Sequence, residues 1–316
     1  MITKSLFRIF YGLSVATIFT IVLLSGVGVH AADKSIVLTK YPNLKIGFTT
    51  QNLAKWLPNS VNNLKTIIDF ASEKGFAFIE LRDPKADLPY DDAKEVAAYA
   101  KKKKIEVIYA MGVGGLDSNY FEVFSKGLAN TMLFKGPRIA RTAAFGNEMI
   151  ADPQKKFWTK AEFSELVKNL NKAGKMAKKK GYTFCVENAF EGLKGDGVNT
   201  FGTADLFGLN GVNFNIGLQV DTGNFFCVSR AENSPCDVKT FFEENVKKVT
   251  YTHLKSSVDK KTAQVLNGNE LSLDVFLGAL VKNGKVYVAL ELANADTLEN
   301  AYANHKKSID YLVKNF

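Results

Sequence analysis

The sequence predicts an α/β fold, a single (β/α)8 TIM barrel over residues 32–316 preceded by an N-terminal signal peptide over residues 1–31. Three observations carry that reading. Short apolar β-like runs alternate eight times with amphipathic helical stretches across about 270 residues, close to the roughly 250 residues such a barrel needs. No glycine fingerprint follows the first run, "FTTQN", and "MGVGGL" has the wrong spacing, which sets aside a doubly wound open sheet. Ionisable residues also recur at the ends of four consecutive strands in the second half of the chain.

The elements follow in order. The first strand is Leu44–Gln51, and a helix starts from the cap Ser60, with Val61, Leu64, Ile67, Ile68 and Ala71 on one face and Gly75 as its stop. Strand two is Phe76–Arg82, followed by a helix around "DDAKEVAAYAKKKK"; strand three is Ile105–Gly112, followed by "SNYFEVFSKGLANTML". Strand four is Arg138–Gly146. Its helix opens on a capping box from Thr159 to Glu162 and sets Phe163, Leu166, Leu170, Ala173 and Met176 on one face. Strand five is "YTFCVEN", with a short helix in "TADLFGLNG"; strand six is Ile216–Asn224, with a helix in "VKTFFEENVKK". Strand seven is Val249–Lys255, strand eight is Val286–Asn294, and helices follow in "LSLDVFLGALVKNG" and "LENAYANHKKSIDYLVKNF".

The first 31 residues read as a targeting segment: a basic start at Lys4 and Arg8, an apolar run from Ile9 to Val29, and a small-residue exit with cleavage expected after Ala31. The expectation is an exported protein, periplasmic or secreted. An uncleaved membrane anchor is the alternative, because the run is long for a signal. No cysteine follows the run to carry a lipid, and no twin arginine precedes it. Without this segment 285 residues remain with a formal charge of +7, and none of the later stretches is long and apolar enough to span a bilayer. The lysines are spread along the chain, "KKKK" at Lys101–Lys104 reads as a solvated helix end, and no basic cluster is interleaved with aromatics, so no nucleic-acid partner is expected. Cys185 lies in an apolar strand as packing, whereas Cys227 and Cys236 flank a loop and could form a disulfide in an oxidising compartment.

Barrel enzymes keep their chemistry at the C-terminal ends of the strands. Those ends here carry Glu187, Asp221, His253 and Glu291, separated by 34, 32 and 38 positions, one strand–helix unit each. Such spacing returns all four to one rim. Three carboxylates and an imidazole converging there would repel without a cation among them, and the donor set suits Mn2+, Mg2+, Co2+ or Zn2+ without choosing between them.

Read together, "FIELR", "CVENA", "LQVDTGN", "THLK" and "ALEL", in this order and spacing, make the chain resemble the xylose isomerase-like barrel superfamily of sugar (phosphate) isomerases and epimerases, over nearly the whole mature length. The resemblance implies a metal held by Glu187, Asp221, His253 and Glu291, and a sugar or keto-sugar substrate whose proton next to the carbonyl is exchanged by Glu187 and Glu291 through an enediolate. Relatives often pair through barrel faces, so a homo-oligomer is possible. Lys255 shares the side of His253 and could stabilise negative charge, or be a surface lysine past the strand end. Asn188 and Asn224 could bond substrate hydroxyls or simply close turns. Glu80 is a candidate polar lining residue, Trp56 could stack on a sugar face or serve as a core or lid aromatic, and Arg141 is a weaker candidate that alternation could turn outward.

Three positions depart from the family pattern: Asn224 replaces a histidine common in epimerases, "HLKS" replaces "H-x-K-D", and Leu193 stands where an acid is usual, with Glu191 nearby. They leave the metal shell intact and bear on substrate and on epimerase chemistry. A lyase or dehydratase acting on a keto-sugar, keto-inositol or 3-keto-glycoside would use the same site, and a carbohydrate-binding barrel without catalysis is the non-enzyme alternative. The related apurinic-site endonucleases need many histidines for three zinc ions; two in the mature chain cannot supply them.

Overall fold

Eight parallel strands pair edge to edge until the last meets the first. They are β1 (Lys45–Thr49), β2 (Phe78–Arg82), β3 (Glu106–Gly114), β4 (Ile139–Ala143), β5 (Thr183–Glu187), β6 (Gly217–Asp221), β7 (Val249–Leu254) and β8 (Tyr287–Leu290). Each is hydrogen-bonded to its sequence neighbours, and β1 pairs with β8 with Gly47 opposite Ala289, so the ring is closed. Between them run α1 (Val61–Lys74), α2 (Tyr90–Lys102), α3 (Tyr120–Thr131), α4 (Lys160–Lys179), α5 (Thr203–Phe207), α6 (Pro235–Asn245) and α7 (Leu273–Lys282), and α8 (Leu298–Asn315) ends the chain. The expected (β/α)8 barrel is therefore the observed one.

This computed structural model describes residues 35–316 apart from 145, 147–150, 153, 214, 269 and 270, so the signal peptide expected over residues 1–31 lies outside the described residues. Among the described residues no helix is long and apolar enough to cross a membrane.

Local signals act where the sequence put them. The Ser60 side chain accepts from Asn63 N to start α1, and Gly75 ends it at φ 80°, a left-handed conformation that glycine adopts without a Cβ clash. Both bonds of the Thr159–Glu162 capping box are present at the head of α4. The Lys101–Lys104 run closes α2, with Lys102 its last residue and Lys104 turning the chain at φ 60°. Cys227 and Cys236 are both free thiols, so the disulfide that their spacing allowed is not formed; the Cys227 Sγ lies 3.4 Å from Thr262 Oγ1 instead.

Two cores result from strand alternation. Outward-facing residues pack under the helices in one large apolar cluster, while Phe78, Ile108, Ile139, Cys185, Tyr251 and Ala289 fill the barrel interior as a second. Side chains two positions apart in a strand share a face. The residues two places on from Phe78, Ile139, Cys185, Tyr251 and Ala289 are Glu80, Arg141, Glu187, His253 and Glu291. An apolar floor thus carries a polar layer toward the C-terminal ends of the strands.

Candidate metal centre

Four side chains predicted to meet do so. Glu187, Asp221, His253 and Glu291 each offer a donor atom, and these atoms lie within 4.8 Å of one another. From His253 Nδ1 the distances are 2.6 Å to Glu291 Oε2, 3.1 Å to Glu187 Oε1 and 3.4 Å to Asp221 Oδ2. Glu187 and Asp221 close their strands, His253 is the penultimate residue of β7, and Glu291 follows β8 directly, its N–H still donating to Leu254 O at 3.0 Å.

Partners beneath the four residues fix their orientation. His253 Nε2 faces Glu80 Oε2 at 2.7 Å, which suits a proton on Nε2 and leaves Nδ1 as the atom turned toward the other carboxylates. Glu80 is buried and takes a second bond from Tyr251 Oη at 2.7 Å, so it positions His253 from within the barrel. Asp221 Oδ1 accepts from Gly223 N and Asn224 N, both at 2.9 Å, which turns Oδ2 inward. Gly223 is required by close approach: a Cβ there would stand 2.6 Å from Lys255 Cγ.

Arg141 points inward. It is fully buried, and its Nη2 donates to Glu187 Oε2, its Nε to Gln219 Oε1 at 2.7 Å and its Nη1 to Met111 O at 3.0 Å. Gln219 in turn donates to Glu187 Oε1 at 3.1 Å. Neither Gln219 nor Tyr251 was singled out from the sequence. The available signal was their position two places before Asp221 and His253, on the same inward face.

Lys255 is buried, with Nζ 2.9 Å from Asp221 Oδ2, 2.7 Å from Glu291 Oε1 and 2.7 Å from Asn224 Oδ1. That places it in the site, not on the surface. Asn188 ties β5 to β6, accepting from Asp221 N at 2.8 Å and donating to Asp221 O at 3.2 Å, and does not line the cavity. Asn224 does line it while donating to Asn188 O at 2.8 Å. Trp56 packs half-buried against the outer core and is not part of the cavity wall, so its position gives no support to sugar stacking.

The residues fit a divalent cation. Asp221 Oδ2, His253 Nδ1 and Glu291 Oε2 are buried and make no hydrogen bond of proper geometry, even with Lys255 Nζ beside the first. Leaving such atoms unsatisfied costs about 1–3 kcal/mol each, and one ion at their common focus would satisfy all three. The electrostatics agree. Burial opposes charge on His253, yet Glu80 and Glu291 outweigh it and hold the imidazole pKa well above its ordinary range. Burial also opposes charge on Glu291, but Lys255 and His253 depress its pKa well below the carboxylate range. A place that stabilises positive charge so strongly suits a metal ion. The centre opens into a cavity of about 430 Å³ whose wall includes Glu187, Glu291, Lys255, Asn224, Gln51 and Arg82.

A family model described as "Xylose isomerase-like TIM barrel" matches residues 68–314. No curated protein sequence matches the chain. Among solved structures it is similar to a xylose isomerase-like TIM barrel protein from Mycobacterium smegmatis in complex with magnesium, at TM-score 0.63 and 15% identity over 86% of this chain and 97% of that one. It is similar to an L-ribulose 3-epimerase, at TM-score 0.62 and 17% identity over 86% and 95%. A sugar phosphate isomerase/epimerase from Parabacteroides distasonis matches at TM-score 0.63 and 13% identity over 90% and 99%. At these identities the structural likeness speaks for the fold, and the family match spans most of the chain: the protein belongs to the xylose isomerase-like TIM barrel family.

Proposed function

We propose that this protein is an exported, divalent-metal-dependent sugar isomerase or epimerase that moves a proton on a carbon next to a carbonyl through an enediolate. The observation that carries the proposal is the set of three buried, unbonded donor atoms converging with Glu187 at the mouth of a sugar-sized cavity. The family match and the likeness to sugar epimerases such as the L-ribulose 3-epimerase support the substrate class.

A bound Mn2+, Mg2+, Co2+ or Zn2+ ion would supply Lewis acidity toward the substrate carbonyl. The rest falls to the chain itself. Glu291 is the more accessible carboxylate, with its side chain 12% exposed against 4% for Glu187, and it takes the proton from carbon. Lys255 stays charged between Asp221 and Glu291, its pKa raised because their carboxylates outweigh burial, and it stabilises negative charge on the enediolate. Glu187 would return a proton on the opposite face, while Asp221 and His253 hold the ion.

One observation favours a second reading. Glu187 accepts from Arg141 on Oε2 and from Gln219 on Oε1, which restrains it as a proton carrier and favours chemistry needing a single base, such as elimination from a keto-sugar. Product analysis separates the two: an isomer keeps the substrate mass, and dehydration loses water. Glu291→Gln should lower turnover by at least a hundredfold with the fold retained, in line with the 10²–10⁴ typical of general acid–base catalysis; an unchanged kcat would remove Glu291 from that role. Export is tested by fractionation and N-terminal sequencing of the mature protein, which should begin at Ala32.

A further inference from the structure

We propose that the substrate carries an anionic group, a carboxylate or a phosphate, and that Arg82 binds it. The proposal rests on the sugar-isomerase reading above for the sugar skeleton and adds the chemical class of its substituent.

Arg82 closes β2 and lines the cavity. Its Nε and Nη1 are buried and have no hydrogen-bond partner. Two acids flank it: Nη1 lies 3.8 Å from Glu80 Oε1, which also has no hydrogen-bond partner, and 3.7 Å from Glu187 Oε2, both too far for hydrogen bonds, while Glu80 binds Tyr251 and His253 through Oε2 and Glu187 binds Arg141 and Gln219. A guanidinium presents a planar fork of donors that matches carboxylate and phosphate oxygens two at a time. Burying such donors unused is costly, and a ligand entering the cavity is the partner that would complete them.

The backbone holds this residue in place. Arg82 N donates to Thr50 Oγ1 at 3.0 Å, and its carbonyl accepts from Asn59 Nδ2 at 2.9 Å. The next residue, Asp83, anchors the following loop by accepting from Tyr109 Oη at 2.5 Å, Asp87 N at 3.1 Å and Leu88 N at 2.9 Å. That loop lies tight against β3, where a Cβ on Gly112 would meet Pro84 Cβ at 2.9 Å. It also brings Lys85, a second cation, into the lining of the cavity. The third, Lys255, is paired with Asp221 and Glu291 across the site. Arg82 Nη1 stands 3.7 Å from a carboxylate of the metal centre, so the anionic group would sit only a few bonds from the reacting carbon.

The test is calorimetric binding of three probes with one carbon skeleton, D-fructose, D-fructuronate and D-fructose 6-phosphate, to the full metal-loaded chain and to its Arg82→Gln and Arg82→Lys variants. One anionic probe should bind the wild type at least tenfold more tightly than fructose, and which of the two does so identifies the group. Arg82→Gln should erase that preference, weakening the anionic probe at least tenfold more than fructose; Arg82→Lys should keep part of it. Equal binding of all three probes, no binding of either anion, or equal weakening of all three in both variants would overturn the proposal. Binding is read without turnover, so an absence of isomerised product counts against the functional reading and not against this one.

Discussion

Arg141 shows how a single residue can decide what its neighbours do. A guanidinium with no solvent exposure is tolerable because all three of its nitrogens are bonded, to Glu187, Gln219 and Met111 O. Removing it in Arg141→Leu leaves the Glu187 carboxylate buried without its partner and should cost about 3–5 kcal/mol in chemical denaturation. A loss below about 1 kcal/mol would show that the pair does not sustain the site. His305 acts at a distance. Its Nδ1 donates to Ala301 O at 2.8 Å and its Nε2 accepts from Asn52 Nδ2 at 3.1 Å, while Asn52 also bonds Leu290 O and Leu292 N, the residues flanking Glu291. Burial lowers the His305 pKa from 6.5 to about 4. Between those values the unfolded chain takes up a proton that the folded chain refuses. Stability is therefore full above about pH 6.5 and falls toward pH 4, by roughly 3 kcal/mol in all. Urea unfolding at about pH 5 should show about 2 kcal/mol of this loss relative to neutral pH. His305→Gln should flatten that part of the profile, and an unaltered profile would assign it to other groups.

At the scale of elements, the βα units are held by local signals that work independently of the site. Thr159 accepts from Glu162 N while the Glu162 carboxylate accepts from Thr159 N at 2.9 Å, so two otherwise unsatisfied donors at the head of α4 are answered. Thr159→Ala should destabilise the protein by about 1 kcal/mol in denaturant unfolding and leave metal binding unchanged. A larger effect on metal binding than on stability would mean that α4 transmits strain to β5. The segment after β6 behaves differently. Asn224–Val228 winds as a single π turn, with Asn224 N bound to the ligand candidate Asp221 and Asn224 Oδ1 to Lys255. This turn belongs to the site as well as to the scaffold.

For the whole molecule, closing the ring gathers mutually repelling charges into one place. Four acids, Glu80, Glu187 and Asp221 buried and Glu291 half-buried, lie beside Arg82, Arg141, Lys255 and His253. A divalent cation that binds only the folded chain adds stability by mass action, about 2.7 kcal/mol at a hundred times its dissociation constant. For a chain of this size Tm should rise by several degrees with Mn2+ or Mg2+, at about 2–4 °C per kcal/mol. A chelator should reverse the rise and Asp221→Asn should abolish it; no shift with any of the four candidate ions would count against a resident metal.

What could be read before folding was whatever repeats along the chain. Strand–helix alternation, the Ser60 cap, the Gly75 stop and the Thr159 capping box are local patterns, and one strand–helix unit between Glu187, Asp221, His253 and Glu291 is a spacing, so the barrel and the four-residue rim were legible. Arg141 was harder to place, because alternation gives two faces and only the closed ring says which one is inside. The sequence by itself determined the units, their order and the rim that bears the acids. Tertiary structure alone decided that Lys255 is buried between two acids, that Glu80 bonds His253, that Trp56 stays outside the cavity wall, and that Arg82 lines the cavity with two of its nitrogens buried and unbonded. The physical reason is that a charge's role depends on which charges lie within a few ångströms, and in a closed barrel those neighbours come from strands far apart in sequence.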